Sequence, residues 1–173
     1  NATLSKTWLG DYIIAFDSGN KEYFSSIGKL TKIKDRIWNN ITFEYGDDEK
    51  LHAIYDTLGR KITLYYNDDK ISQLIDFNGR QVFFNYYTDS DIDGEAGDLK
   101  NIVLSFDFTL SRDKTISFTY ARNESVDSKL SHNIARITDA KGQTYVENTY
   151  DTYDRVTSQK YGDGDVHYAY TVL

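Results

Sequence analysis

The chain has 173 residues, contains no cysteine, proline or methionine, and carries a formal net charge of −7 at pH 7. The absence of cysteine excludes a disulfide framework, a thiolate nucleophile and a cysteine-ligated metal. The acidic balance argues against a nucleic-acid groove, which needs clustered Lys and Arg. No apolar run is long enough to predict a transmembrane helix, and no signal peptide is recognisable. The missing methionine leads us to expect a fragment of a longer protein.

Short alternating runs separated by turn residues predict strands from the N-terminus onward. Tyr12–Phe16 and Lys21–Phe24 flank a turn at residues 17–20, and Leu30–Lys34 follows the next turn. We interpret residues 1–29 as an N-terminal β-hairpin lead-in. Residues 30–173 are predicted to hold repeated β-hairpins.

An internal repeat of about 20 residues relates residues 51–66 to residues 71–86, and such a period defines the architecture. The aligned pairs are Leu51 and Ile71, Ile54 and Leu74, Asp56 and Asp76, Gly59-Arg60 and Gly79-Arg80, and Tyr66 and Tyr86. In each unit an apolar strand leads into Asp-x-x-Gly, and a second strand ends in Tyr. Asp at the first position of a tight turn and Gly at the fourth predict a hairpin with a bulge at the glycine.

Further units lie on both sides of this pair. In the unit that starts at Leu30, Asn39 is expected at the glycine position, after one extra residue, because Asn tolerates the left-handed conformation. Later units begin at Leu99, after an insertion at residues 88–98, and then at Ile134 and Val156. The stretch 123–132 is the least strand-like and is predicted to hold one helical turn. The fold class is therefore predicted as all-β, built from serial antiparallel β-hairpins.

The unit Tyr150-Asp151-Thr152-Tyr153-Asp154-Arg155-Val156 resembles the Tyr-Asp-x-x-Gly-Arg-Val unit of the YD-repeat, or Rhs-repeat, family, with Asp154 where Gly is usual. Residues 55–60 and 75–80 also match that unit. The resemblance covers nearly the whole chain. It implies a strip of hairpins that spirals into a hollow β-shell. In bacterial Rhs proteins and insecticidal toxin complexes such a shell encloses a C-terminal toxin, and in teneurins a similar barrel supports cell adhesion.

The resemblance therefore implies a structural segment of a large secreted or cell-surface protein that is not itself an enzyme. Its expected partners are neighbouring repeats, the remainder of the parent chain and an enclosed toxin domain. The alternative is a cell-surface adhesin or a carbohydrate-binding module. We expect no catalytic residues, no bound cofactor apart from calcium, no nucleic-acid partner and no membrane span. The self-cleaving aspartates of some relatives have no counterpart, because the chain contains no Asp-Pro pair.

The insertion contains the one candidate metal site. Asp89, Asp91 and Asp93, followed by a glycine, resemble the start of a calcium loop, where alternate carboxylates converge on a hard cation. The twelfth position is Lys100 and not the usual Glu, so Asp98 would have to supply the last carboxylate. The alternative is an acidic, solvated hairpin insertion.

A recurrent set of tyrosines has two interpretations, stacking on sugar rings and cross-strand packing within the sheet. The repeat period favours packing. The set comprises Tyr45, Tyr66, Tyr86, Tyr120, Tyr150 and Tyr170. Arg60 and Arg80 are expected to pair with nearby Asp, whereas the three histidines have no metal-ligand spacing and are expected at solvent-facing or edge positions.

Overall fold

The structure is a computed structural model that describes residues 1–105, 113–121 and 132–171. Its strands are β1 (Ala2–Lys6), β2 (Tyr12–Phe16), β3 (Lys21–Phe24), β4 (Leu30–Lys34), β5 (Asn40–Tyr45), β6 (Leu51–Tyr55), β7 (Lys61–Asn67), β8 (Lys70–Ile75), β9 (Gln81–Tyr86), β10 (Leu99–Ser105), β11 (Lys114–Tyr120), β12 (Ile134–Thr138), β13 (Thr144–Tyr150), β14 (Val156–Tyr161) and β15 (Gly164–His167). Apart from His132, the stretch in which a helical turn is predicted lies outside the described residues.

The chain divides into two compact units, Asn1–Arg80 and Gln81–Leu173. In the first unit, β1 to β8 pair antiparallel, each with its neighbour in sequence. In the second unit, β9 to β15 do the same. The predicted all-β fold of serial antiparallel hairpins is confirmed. A search of the described residues finds no helix with the length and apolar character needed to cross a membrane.

Turns that begin with Asp share one hydrogen-bond pattern. In the turn at residues 56–60, the Asp56 amide donates to the Arg60 carbonyl at 3.1 Å, and the Gly59 amide donates to the Asp56 carbonyl at 3.0 Å. One carboxylate oxygen of Asp56 accepts the amides of Leu58 and Arg60, each at 2.9 Å. The same carboxylate bonds recur in the turns that begin at Asp35, Asp76, Asp139 and Asp151. Asp is therefore favoured at this position because its side chain satisfies amides that the turn leaves unpaired.

In the turns that begin at Asp35, Asp56, Asp76 and Asp151, the other carboxylate oxygen contacts the side chain of the last turn residue. Asp56 accepts the Nε and one terminal nitrogen of Arg60, each at 2.5 Å. Arg80 makes the same pair of contacts with Asp76, and Arg155 makes them with Asp151. The expected pairing of Arg60 and Arg80 with Asp is confirmed, and the two-point geometry fixes the arginine across its own turn.

The fourth position of these turns has a positive φ. Gly59 and Gly79 have φ of 77° and 81°, as the repeat predicts. The prediction that Asn39 takes this position is wrong, because Trp38 has φ 77°. Asn39 occupies the arginine position, and its side-chain amide donates to Asp35 at 2.6 Å. The first repeat therefore has no extra residue. It places tryptophan where the turns that begin at Asp56, Asp76 and Asp139 use glycine and the turn that begins at Asp151 uses Asp154.

A tyrosine closes each of several hairpins by donating its hydroxyl to the carbonyl of the first apolar residue of an earlier strand. Because the donor and acceptor recur at the repeat period, these bonds define the hairpin unit. They are Tyr45 to Leu30 (2.9 Å), Tyr66 to Leu51 (2.9 Å), Tyr120 to Leu99 (3.0 Å), Tyr150 to Ile134 (2.8 Å) and Tyr170 to Val156 (2.8 Å).

Each unit has one apolar and one polar face, because paired residues lie on the same face and successive residues on opposite faces. Apolar pairs in the first unit are Ile33–Ile41, Phe43–Ile54, Ile54–Ile62 and Leu64–Leu74. Apolar pairs in the second are Val82–Leu104, Phe84–Ile102, Ile102–Ile116, Phe118–Ile137 and Ile137–Val146. The polar face carries the pair Lys32–Thr42 in the first unit and the pairs Asn101–Ser117 and Arg136–Glu147 in the second.

Few apolar side chains are buried in the described part of either unit. On the apolar faces, Leu64 of the first unit and Val146 of the second are 5% and 9% exposed. Ala53, on the polar face of the first unit, is 1% exposed, and Tyr87, which follows β9, is 7% exposed. Ile41 and Ile62 remain 42% and 39% exposed on the apolar face of the first unit. Because hairpins need a covered apolar face for independent stability, this exposed apolar area is expected to limit the stability of the first unit on its own.

The predicted division into residues 1–29 and residues 30–173 stays a prediction. The turns at residues 16–20 and 25–29 have the same backbone bonds as the later ones, with Gly19 and Gly28 donating to Phe16 and Ser25 at 2.9 Å. Residues 1–29 thus contain antiparallel hairpin turns of the same kind as residues 30–173.

Candidate functional site

The insertion between β9 and β10 folds back onto its own unit through backbone hydrogen bonds. The Tyr87 amide donates to the Asp98 carbonyl at 2.8 Å, and the Gly97 amide donates to the Tyr87 carbonyl at 2.9 Å. From β11, the Tyr120 amide donates to the Asp93 carbonyl at 2.8 Å. These bonds hold the insertion against the end of the neighbouring hairpin.

Tyr87 forms the centre of the insertion. Its hydroxyl donates to the Phe118 carbonyl at 2.8 Å, and its ring meets the Tyr120 ring edge-on at a centroid distance of 6.0 Å. A Cβ on Gly94 would lie 2.4 Å from this ring, so the backbone of the insertion passes directly over it. Burial raises the pKa of the Tyr87 phenol, and the Asp93 charge adds to the effect. The insertion is therefore a packed element with a buried aromatic centre.

Asp91 is the most strongly bound of the candidate calcium ligands. One of its oxygens contacts Lys100 Nζ at 2.5 Å, and the other accepts the Thr88 amide and hydroxyl at 2.8 and 2.9 Å. The Lys100 contact is the main cause that lowers the pKa of Asp91 to about 2, and the Thr88 bonds add to it. Lys100, the residue that breaks the calcium-loop pattern, thus supplies a positive charge to Asp91, the second candidate carboxylate.

The other candidate ligands do not share contacts with Asp91. Asp98 accepts the Glu95 amide at 3.0 Å and lies 2.7 Å from Nδ1 of His132. Asp93 and Asp89 are exposed. Within the described residues, no group of three or more His, Asp or Glu side chains is arranged to hold a metal ion. Calcium binding by Asp89, Asp91, Asp93 and Asp98 stays untested, and the contacts of Asp91 and Asp98 favour the hairpin-insertion interpretation.

The recurrent tyrosines have structural contacts that account for their positions. The hydroxyls of Tyr45, Tyr66, Tyr120, Tyr150 and Tyr170 donate to backbone carbonyls. Lys29 and Lys50 lie 5.1 and 5.4 Å from the ring centroids of Tyr45 and Tyr66. Burial raises the pKa of Tyr86, Tyr120 and Tyr150. These contacts favour the packing interpretation over stacking on sugars.

The sequence analysis missed a cluster of basic and aromatic residues around Trp38. Trp38 is 72% exposed, and Lys34 Nζ lies 3.6 Å from the centroid of its ring. A signal was present in the sequence, because Trp38 lies two residues before the start of β5, as Gly59 lies two residues before the start of β7. The exposed position of Trp38 was not recognised because Asn39 was assigned to the left-handed position.

Comparisons with known proteins show weak structural similarity. No family model matches the chain, and no curated protein matches it. A porin-like protein from Bacteroides uniformis is similar over 95% of this chain and 55% of its own, with 13% identity and a TM-score of 0.39. A chain of the TcdB2–TccC3–Cdc42 structure is similar over 95% of this chain, with 10% identity and a TM-score of 0.39. This chain spans 55% and 11% of the lengths of those two chains.

Proposed function

We propose that this chain is a wall segment, a strip of hairpins within a large secreted or cell-surface protein of the YD/Rhs-repeat kind. In that protein the strip would form part of a shell around a C-terminal toxin, and it would perform no catalysis of its own. Its partners would be neighbouring repeats, the rest of the parent chain and the enclosed domain.

The repeated hairpin plan is the observation that supports this proposal. The same tyrosine-to-carbonyl bond closes successive hairpins, and the same Asp–Arg contact fixes their turns. A plan that repeats in this way extends a sheet by adding units, so that each unit depends on its neighbours for stability.

The apolar faces add a second argument. Each unit presents paired apolar side chains on one face, yet only a few of them are buried. Apolar area of this kind is stabilised when another layer or an enclosed chain removes it from water. A shell that surrounds cargo provides such a covering.

A cell-surface adhesin or carbohydrate-binding module is the second candidate. It is favoured by a specific observation, the exposed Trp38 with Lys34 at its ring.

The natural protein provides the test. An antibody raised against this chain would capture the parent protein from cells and culture medium, and electron microscopy would show its form. We expect a much larger chain whose hairpins surround a separate domain. A parent protein that displays these hairpins openly on a cell surface, with no enclosed domain, would contradict the shell and favour the adhesin.

A further inference from the structure

Four turns of the first unit lie at the same end of its strands. Because β2 to β8 pair antiparallel, the turns that follow β2, β4, β6 and β8 all fall at one end. These turns comprise residues 16–20, 35–39, 56–60 and 76–80, and we refer to them together as the turn edge.

Direct contacts join the first three turns of the turn edge. A Cβ on Gly19 would lie 2.9 Å from the Cβ of Arg36, so the first turn lies against the second. The Asn40 amide donates to the Thr57 hydroxyl at 2.6 Å, and that hydroxyl donates to the Asn40 carbonyl at 3.1 Å. The second turn is thus bonded to the third.

An apolar hollow of about 300 Å³ lies between the third and fourth turns. Its lining includes Ile41 and Ile62, which belong to the apolar face, and Phe77 of the fourth turn. The Arg60 guanidinium, which Asp56 also contacts, lies 5.1 Å from the centroid of the Phe77 ring. Apolar surface therefore continues from the sheet face to the turn edge.

Apolar side chains project from the tips of three of these turns. Ile37 and Trp38 are 69% and 72% exposed, Leu58 is 77% exposed and Phe77 is 52% exposed. Trp38 has a φ of 77°, at a position where the next two turns use glycine. The turn itself therefore gains nothing from tryptophan at this position.

The turn edge is basic in an acidic chain. Its turns and the residues directly beside them carry six cations, which are Lys21, Lys34, Arg36, Arg60, Lys61 and Arg80. They also carry four carboxylates, of which the three that begin the later turns accept hydrogen bonds within those turns. The turns at the opposite end carry six carboxylates against four lysines. These carboxylates are Asp11, Asp47, Asp48, Glu49, Asp68 and Asp69.

Charge, and not exposed apolar area alone, distinguishes the two ends. Trp8, Leu9 and Ile27 are 91%, 65% and 69% exposed at the opposite end, so both ends have apolar tips. Only the turn edge combines apolar tips with an excess of positive charge.

We propose that the turn edge binds the surface of an anionic lipid bilayer and lies on the membrane without spanning it. Trp38, Leu58 and Phe77 enter the boundary between headgroups and acyl chains, where indole rings are favoured. The cations beside them are attracted to the negative lipid surface. The acidic opposite end is repelled, so the unit meets the membrane in one orientation. This contact goes beyond the proposed wall role and does not require a shell.

The spacing of the tips favours a bilayer over a protein partner. Turns at one end of an antiparallel sheet are two strands apart, which places neighbouring tips about 10 Å from each other. A protein interface has a contiguous apolar core of complementary shape. A fluid lipid surface instead accommodates separate tips, each surrounded by cations.

The two tryptophans of the chain provide the test, because Trp38 lies on the turn edge and Trp8 at the opposite end. Trp8→Phe leaves Trp38 as the fluorescent reporter, and Trp38→Phe leaves Trp8. Each intact chain is titrated with vesicles of equimolar phosphatidylserine and phosphatidylcholine, and with phosphatidylcholine vesicles alone. Trp38 emission should shift to the blue with the anionic vesicles and be quenched by acyl-brominated lipid, whereas Trp8 emission should not change. Added salt should weaken the binding.

Variants at the two ends separate membrane binding from folding. Leu58→Ser should weaken the partition into anionic vesicles about tenfold or more. Leu9→Ser is the matched control at the opposite end and should bind like the native chain. Lys34→Gln and Arg36→Gln should each weaken the partition about fivefold. Because Leu58 and Leu9 are both exposed, the melting temperatures of these two variants should stay close to the native value.

Several results would overturn the proposal. They are the absence of binding to anionic vesicles, equal binding to phosphatidylcholine alone, a Trp8 response as large as that of Trp38, or equal losses in Leu9→Ser and Leu58→Ser. A blue shift of Trp38 that rises with protein concentration in the absence of vesicles, and that Leu58→Ser suppresses, would assign the turn edge to a protein contact instead.

Discussion

The Tyr66 hydroxyl donates a 2.9 Å hydrogen bond to the carbonyl of Leu51, a residue 15 positions earlier in the chain. This bond ties the end of β7 to the start of β6, and its counterparts occur in hairpins of both units. The tyrosine therefore closes the unit of the repeat, which explains why an aromatic residue with a hydroxyl ends the return strand.

Tyr66→Phe should destabilise the chain by about 1 kcal/mol, because it removes the donor from a partly buried carbonyl and leaves the ring in place. Urea denaturation of the native chain and the variant measures the difference. Tyr65→Phe is the control, since Tyr65 is 46% exposed on the opposite face. Equal effects of the two substitutions would contradict a closing role for the hydroxyl.

Gly59→Val should cost about 1 kcal/mol or more, because a β-branched residue is disfavoured at φ 77°. No other atom lies within 4 Å of a Cβ placed at Gly59, so the cost comes from the backbone and not from a clash. Gly59→Asn should cost less, since Asn tolerates the left-handed region. Thermal melts of both variants check this. A Gly59→Val variant as stable as the native chain would show that the turn does not require glycine.

The turns show how far the sequence predicts the fold. Asp56 and Gly59 specify their turn chemically, one through carboxylate bonds and the other through its φ, so both strands and their register follow from them. Trp38 could not be predicted at the equivalent position, because its intrinsic preference opposes a positive φ. Its placement follows instead from the Asp35–Asn39 contact, which fixes the frame of that turn.

Acid should destabilise the chain through its turn aspartates. Hydrogen bonds from Arg60 and Arg155 lower the pKa of Asp56 and Asp151 below the usual 3.8. Since the folded carboxylates bind protons less readily than the unfolded ones, their contribution is fully present above about pH 5 and is lost as the pH falls below about 4.

Melting temperatures measured from pH 7 to pH 2 check the acid prediction. Asp56→Asn should lower the melting temperature at pH 7, and the difference from the native chain should shrink toward pH 2. A difference that stays constant across this range would show that the Asp56 charge does not stabilise the turn.

Calcium in the millimolar range should leave the melting temperature unchanged, because Asp91 is paired with Lys100 and Asp98 with His132. A ligand that binds the folded state raises the melting temperature by mass action. A rise that disappears in Asp91→Ala and grows in Lys100→Gln would establish the calcium site instead.

The candidate site was less accessible to sequence reasoning than the fold. The spacing of Asp89, Asp91 and Asp93 suggests that their carboxylates converge on a metal ion. Spacing does not reveal which positively charged side chain each carboxylate contacts. Lys100 reaches Asp91 because the insertion folds over Tyr87, a packing event that no local pattern encodes. Likewise, Lys21 and Lys34 come together only through the pairing of β3 with β4.

We propose that these hairpins form a wall segment completed by neighbouring strands, and light scattering across a concentration series checks this proposal. All residues of β1 and β15 are exposed, and such edges pair with other strands. We predict a mean mass that rises with concentration and a smaller rise for a Thr3→Lys, Ser5→Lys double variant of β1. A monomer mass at every concentration, with the double variant indistinguishable, would contradict the claim.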